Sequence, residues 1–347
     1  MLAAKFYAPG DIRLEDVPEP RVSAGEVKIR VRNCSTCGTD VKISRSGHPN
    51  MTPPQVMGHE IAGEIVEVGD GAGGEWAVGD RVQVIAAIPD GTCPDCLAGH
   101  QTICPNQLSM GYQFPGGFAE YMIVPNEVLR VGGLNRIPDG LSFAEASLTE
   151  PLACVLNGQE LARVGEGDVV VVVGSGPIGC LHVRLARSRG ASRVILIDIN
   201  AARLAEAAAI VKPDLTIVSS ETDPVDAVMA ATDGRGADVV ITAAASGTAQ
   251  EQGLRMLARR GRLSLFGGLA KDAPNITVDA NLVHYRELTI VGVNGSSPEH
   301  NRQALRLIAS GAVPVADLIT HSFPLDRLLD AIDIVARGEA IKVTIEP

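Results

Sequence analysis

Hydrophobic patterning splits the chain near residue 140. Before that point the apolar residues fall in short runs of period two, as in VKIRVRNCS (27–35), HEIAGEIVEVG (59–69) and DRVQVIAA (80–87), separated by glycine and proline. Such runs predict strands joined by turns, and no helix of real length is predicted before Ser142. Glycine-rich DGAGGEWAVGD, 70–80, reads as a surface loop. From Ser142 to Arg163 a mixed pattern predicts a helical connection carrying Glu150. Then five valines in succession, Val169 to Val173, are apolar on both faces, as a central parallel strand covered by helices on both sides requires.

After the valines the period alternates. A helix is predicted over 177–189 with Ile178, Leu181, Leu185 and Ala186 inward, then a strand over 193–197. Helices over 201–210, 225–231 and 248–257 follow, interleaved with strands over 215–218, 237–242 and 262–266, and a last strand over 288–293. Alternation of this kind implies a right-handed, doubly wound parallel sheet. A helix over 298–309 leads away, and a strand over 341–345 is expected to rejoin the first domain. The fold class is therefore α/β: a β-rich domain from 1–150 and 296–347, discontinuous in sequence, and a parallel-sheet domain from 151–295. His284 and Tyr285, before the last sheet strand, are expected in the core or an interface.

The turn after the valines is GxGxxG, from Gly174 through Gly176, Pro177 and Ile178 to Gly179. The three glycines serve a tight turn, close approach of backbone to a pyrophosphate, and close helix-to-strand contact. Asp198, at the end of the next strand, stands where the ribose hydroxyls of a dinucleotide would sit. Its carboxylate can accept from the 2′-OH of NAD and would repel the 2′-phosphate of NADP, so NAD is the expected cofactor. Arg203 has two readings, a solvated helix residue or a guanidinium stacked on the adenine. The strand ends at Phe266–Gly268 and Gly292–Asn294 should line the nicotinamide half, because ligands bind at the carboxyl ends of such strands.

Composition narrows the classes. A chain of 347 residues exceeds one ordinary core. Thirty basic against 41 acidic residues give a net charge of −11, with no basic run, which argues against a nucleic-acid partner. Neither a signal peptide nor a membrane-length apolar segment is visible, so a cytoplasmic protein is expected. Seven cysteines in such a chain point to metal ligands and free thiols before disulfides. Cys37 in CGTD and His59-Glu60 in GHE would, if brought to one point, offer sulfur, nitrogen and oxygen to a zinc ion, a borderline-soft cation that accepts all three. Singly, each has a blander reading as a core thiol or a strand start. Beside a dinucleotide fold, the set favours the ion. Cys93, Cys96 and Cys104, spaced C-x2-C-x7-C, mark a structural metal site. Cys34, Cys154 and Cys180 read as buried thiols.

The succession CGTD (37–40), GHE (58–60), GDRV (79–82), GFAEY (117–121), EP (150–151) and GSGPIG (174–179) resembles the zinc-dependent medium-chain dehydrogenases, above all their polyol, threonine and sugar-alcohol-phosphate branch. The resemblance covers essentially the whole chain. It implies a GroES-like catalytic domain beside a Rossmann domain, a catalytic zinc, NAD, and a small-molecule alcohol or ketone as partner, in a homodimer or homotetramer. It casts Cys37 and His59 as zinc ligands, and Glu60 and Glu150 as carboxylates of which either could coordinate. Thr39 would receive the alcohol proton and Asp40 would orient the histidine. Where many relatives carry a histidine two residues after that acid this chain has Lys42, and His48 is the nearest substitute. Asp90 stands where the family's structural zinc has a fourth cysteine, so an Asp90, Cys93, Cys96, Cys104 site is expected, with His100 the weaker alternative. The implied reaction is reversible oxidation of a secondary alcohol, in a polyol, sugar or cyclitol, to a ketone. Threonine and sugar-alcohol phosphates are alternatives, the latter weakened by the lack of a basic cluster. A zinc-free quinone reductase on the same fold and a nucleotide-binding sensor without turnover are the competing classes.

Overall fold

A computed structural model describes residues 1–72, 74 and 76–347; residues 73 and 75 of the predicted glycine-rich loop lie outside the described residues. The chain forms two compact units, Met1–Cys154 with Gly295–Pro347, and Val155–Asn294.

The first unit is built on a seven-stranded sheet. Its main path runs Leu134–Arg136, Arg81–Val84, Glu60–Val68, Val27–Ser35, Lys342–Glu346 and Ile319–Pro324, and Tyr121–Val124 also pairs with Val27–Ser35. The predicted period-two runs thus become neighbouring strands. Their inward residues Ile29, Ile61, Ile65, Val82 and Val84 are fully buried with Phe6 and Phe118 in one core. Two registers meet at one residue: Ser35 lies opposite Glu60 on one side and opposite Thr344 on the other. The last strand of the chain is therefore laid beside one of its first. Its range, Lys342–Glu346, is shifted by one residue from the expected 341–345.

Two helices of this unit run against or beyond expectation. Gly38–Ser46 is a nine-residue helix where only strands and turns were expected. Its sequence, GTDVKISRS, has no clear apolar repeat; Val41 and Ile43 are buried in the core, and the first turn is closed by the Asp40 carboxylate, which accepts from the Cys37 N–H at 2.7 Å. Leu328–Arg337, also unpredicted, buries Leu328, Ala331 and Ile332 against the same core. The expected single connection 142–163 is two helices, Phe143–Ser147 and Thr149–Leu161.

The second unit is a six-stranded sheet, all parallel, in the order Leu215–Val218, Arg193–Asp198, Val169–Val173, Ala237–Thr242, Leu257–Leu265, Thr289–Gly292. The chain winds outward on one side of the valine strand, then returns to wind outward on the other. This reversal makes a crevice at the carboxyl ends of Val169–Val173 and Ala237–Thr242. Val170, Val171 and Val172 are wholly buried, as their unbroken apolar run requires. The helix after them, Pro177–Ser188, buries Leu181, Leu185 and Ala186 as expected. Ile178 is only half-buried, because it lies in the first turn, at the edge of the sheet. The fifth strand begins at Leu257, earlier than the expected 262, and a helix Ala280–Arg286 precedes the last strand. Tyr285 on that helix is 71% exposed, and His284 is exposed beside it, so neither is a core residue.

Candidate active site

Cys37 caps the helix Gly38–Ser46, directly after the strand that ends at Ser35. His59 precedes the strand that starts at Glu60, and the Ser35–Glu60 register brings the two segments together. Gly58 makes this approach possible. At φ +93° a β-carbon there would lie 2.8 Å from Cys34 Sγ and 2.9 Å from the Phe118 nitrogen, so no other residue fits without displacing backbone. The outcome is that ligand atoms of Cys37, His59 and Glu60 lie within 4.8 Å of one another. A tetrahedral ion with bonds of roughly 2.0–2.3 Å holds its ligands roughly 3.3–3.8 Å apart, so small shifts suffice to close on zinc. Glu60 is wholly buried and its Oε1 has no hydrogen-bond partner among the described residues. A buried carboxylate oxygen left in that state is costly unless a cation or donor completes it. Donor set, spacing and the orphaned oxygen all fit a zinc ion.

The surroundings are strongly charged. Asp40 Oδ1 lies 3.7 Å from His59 Nδ1. Burial is the largest single effect on His59 and opposes its imidazolium, but Asp40, Cys37 and Glu150 together outweigh it, and the pKa stands well above the ordinary value. Burial raises Asp40 in turn, against the pull of His59. Glu60 is raised to about 7, chiefly by burial and against the attraction of Lys342, with Glu150 pushing the same way as burial. Glu150, though buried, stands outside the converging trio; its Oε1 accepts from Cys154 Sγ at 3.5 Å. Cys154 is therefore half-buried and bonded to a site carboxylate, where a plain buried thiol was expected, whereas Cys34 and Cys180 are buried. Thr39 is half-buried in the first turn after Cys37. Lys42 is exposed, and His48 packs edge-on against Tyr112, ring centroids 4.6 Å apart.

Sequence reasoning missed Lys342. It is 3% exposed, ion-paired with Glu60 Oε2, and donates to the Thr36 carbonyl at 2.8 Å. The one signal available was a lone cation inside the apolar run AIKVTI.

In a separate excursion Asp90, Cys93, Cys96 and Cys104 also place ligand atoms within 4.8 Å of one another, with the Cys93 and Cys104 sulfurs 3.9 Å apart. Asp90 accepts from Asn106 Nδ2 at 2.6 Å and from the Cys93 and Thr92 amides, bonds that hold its carboxyl well below the usual range. His100 is exposed and outside this group.

In the second unit Gly174 takes φ +109°, and a β-carbon at Gly179 would run into the Gly174 carbonyl, so helix and strand meet as closely as a phosphate-binding turn demands. Pro177 opens the helix behind Gly176. Asp198 Oδ2 accepts from the Ser175 amide and hydroxyl at 2.6 and 2.7 Å, and Oδ1 from the Asn200 amide at 2.9 Å. A cavity of about 410 Å³ lies at this carboxylate, lined by Val173, Gly174, Asp198, Ile199, Ser219 and Ala244. Arg203 is half-buried and turns its guanidinium onto Gly176, in place of a fully solvated position. Asn294 is exposed, and its carbonyl accepts from Asn157 at 3.2 Å.

Residues 23–132 match the alcohol dehydrogenase GroES-like domain and residues 177–310 the zinc-binding dehydrogenase domain. A sorbitol dehydrogenase of Halalkalibacterium halodurans is 33% identical over 98% of this chain and 97% of its own length. The chain belongs to the zinc-binding alcohol dehydrogenases. Among other members of the zinc-binding alcohol dehydrogenases, an L-threonine 3-dehydrogenase of Bacillus licheniformis is 34% identical over 100% of this chain and 99% of its own. A structure from Sinorhizobium meliloti 1021 with NADP bound, provisionally described as a zinc-binding dehydrogenase, superposes with a TM-score of 0.92 at 31% identity, covering 100% of this chain and 99% of that one. As a zinc-binding dehydrogenase this chain is an oxidoreductase that uses zinc and a nicotinamide dinucleotide. Its α/β fold is the expected pairing of a GroES-like and a Rossmann domain.

Proposed function

We propose that this dehydrogenase reversibly oxidises a secondary alcohol of a polyol, sugar or cyclitol to the ketone, with NAD as hydride acceptor. The observation that carries the reading is the convergence of Cys37, His59 and the orphaned Glu60 carboxylate. These three would hold the catalytic zinc, with Glu150 as a second carboxylate nearby, and Asp90, Cys93, Cys96 and Cys104 would hold a structural one. Bound zinc supplies Lewis acidity worth roughly 12 kcal/mol, the difference between a hydroxyl of pKa about 16 and one near 7 at about 1.36 kcal/mol per unit.

The chain's own residues do the rest. Asp40 faces His59 Nδ1 and leaves Nε2 as the ligand nitrogen. Thr39 takes the alcohol proton at its Oγ1 and returns it to solvent; the exposed Lys42 offers no inward relay. Asp198 accepts from the ribose and repels a 2′-phosphate, which supports NAD for this chain although the Sinorhizobium protein binds NADP. Arg203, lying on the Gly176 turn, adds a cation on the dinucleotide's side, and Asn294 lines the nicotinamide half. The relatives act by name on sorbitol and L-threonine, in which the reacting carbinol has a polar neighbour, and this supports a polyfunctional alcohol. Seven free cysteines agree with a cytoplasmic setting, and the edge strand Thr289–Gly292 offers unpaired backbone to a second copy in a homo-oligomer.

Replacing Cys37 by Ser tests the reading. Alcohol-dependent NADH formation is expected to fall by at least about 10³-fold, the order of effect that loss of a catalytic ion's Lewis acidity brings. NAD binding measured by calorimetry should persist. Full turnover in that variant ends the proposal.

A further inference from the structure

Tyr112 is not among the residues that the metal and dinucleotide account for, yet the fold of the first unit holds it close to His59. The turn that carries it is stitched to the strand approaching His59: Gly116 donates to the Val56 carbonyl at 2.9 Å, Gly117 to Gly58 at 2.9 Å, and Phe118 to Met57 at 3.0 Å. Gly111 closes the turn onto the Phe114 carbonyl at 2.8 Å, and Gln55 Nε2 pins the Tyr112 carbonyl at 2.9 Å. With its backbone fixed, the ring lies beside His48, at 4.6 Å and 69°, and near His59, at 6.0 Å and 44°. The ring is therefore a neighbour of one residue of the converging trio.

The hydroxyl of this ring has no hydrogen-bond partner among the described residues, although the residue is half-buried. A phenol, with an ordinary pKa of about 10, is a neutral donor at neutral pH. A tyrosine is suited to such a place, because its ring packs apolarly while its O–H still requires a partner. The oxygen is not among the wholly buried unpartnered atoms, so water can reach it and an occupant bearing a polar group can take that water's place.

We propose that Tyr112 is a specificity-determining residue whose hydroxyl bonds a second hydroxyl of the substrate, adjacent to the carbinol being oxidised. This rests on the reading of the trio as an alcohol-oxidising centre. It assigns selection of polyfunctional over simple alcohols to one phenol on the Ser109–Gly117 turn. Lysine- or arginine-based recognition of a charged group plays no part in it.

The test compares 2,3-butanediol with 2-butanol, two probes on one carbon skeleton that differ by the second hydroxyl, in the zinc- and NAD-loaded enzyme and in Tyr112→Phe. The substitution keeps the ring beside His48 and His59 and removes only the oxygen. The preference for the diol, as a ratio of kcat/KM values, should fall about five- to tenfold, the worth of one neutral hydrogen bond to substrate. A ratio unchanged by the substitution overturns the proposal, as does a parent enzyme with no preference for the diol; either result leaves alcohol oxidation itself standing. Absence of turnover on every alcohol sinks the broader reading instead. In that case calorimetric binding of 2,3-butanediol decides Tyr112: weaker binding in the variant upholds its role, and equal or undetectable binding in both overturns it.

Discussion

Lys342 shows what a buried charge does here that a motif cannot. Its ammonium is out of water, paired with a Glu60 carboxyl that is also out of water, and each draws the other toward its charged form against the opposing effect of burial. Removing one partner of such a pair strands the other and typically costs about 3–5 kcal/mol, whereas removing both together is near neutral. Lys342→Met is therefore expected to lower unfolding stability in urea by that amount, and Lys342→Met with Glu60→Gln to regain most of it. Equal losses in the single and double variants would contradict the pairing. Cys37, His59 and Glu60 were legible in the sequence because their types and short motifs are specific. Lys342 and Tyr112 were not, because each depends on a strand register or a turn that brings distant segments together, and neither residue type announces a site by itself.

At the scale of elements, the excursion from Asp90 to Cys104 is stabilised differently from the rest of its unit. Its helix, Pro94–Leu97, is four residues long, Leu97 and Ile103 are 76% and 55% exposed, and the buried cluster within it is the three cysteines alone. With so small an apolar contribution, the ion proposed for these four residues would be the main source of order. Asp90→Ala should lower zinc content by about one ion per chain, by the logic that a structural site needs four closed ligands, while Asp90→Cys retains it. Metal analysis checks the stoichiometry, and faster amide exchange across residues 90–106 in the Ala variant checks the loss of order. The helix Gly38–Ser46 was invisible beforehand for a related reason: it buries only Val41 and Ile43, two apolar positions too few to make a repeat, and its first turn is closed by a hydrogen bond from the Cys37 amide. The helix Pro177–Ser188, with its amphipathic repeat, was plain.

For the whole molecule, the alternation of strand and helix after the valine run made the doubly wound sheet readable, since each period there follows directly from burial on both faces. Stability against pH is a property of the entire fold, and His182 shapes it. Fully buried, edge-on to Phe266 at 4.7 Å and with Nε2 unpartnered among the described residues, it is pushed down to about 3 by burial and by the charge of Arg189. In the unfolded chain it titrates near about 6.5. Between those values the unfolded state holds a proton the folded state refuses, so its contribution is complete above about 6.5 and is lost as pH falls, at about 1.4 kcal/mol per unit. Urea titrations between pH 6 and 5 should show a slope of stability with pH smaller by about that amount in His182→Leu. Identical slopes would refute it.

The strand Lys342–Glu346 lies against Val27–Ser35, and Lys342 bonds Thr36 from 306 residues away. The whole of the unit Val155–Asn294 is synthesised between those two events. On the ribosome, Cys37, His59 and Glu60 are exposed long before the ammonium that balances Glu60 has been made. The surroundings of Glu60 are consequently complete only once the last strand is in place, and a chain stalled before residue 342 would present an unbalanced carboxylate to whatever cations the cell supplies.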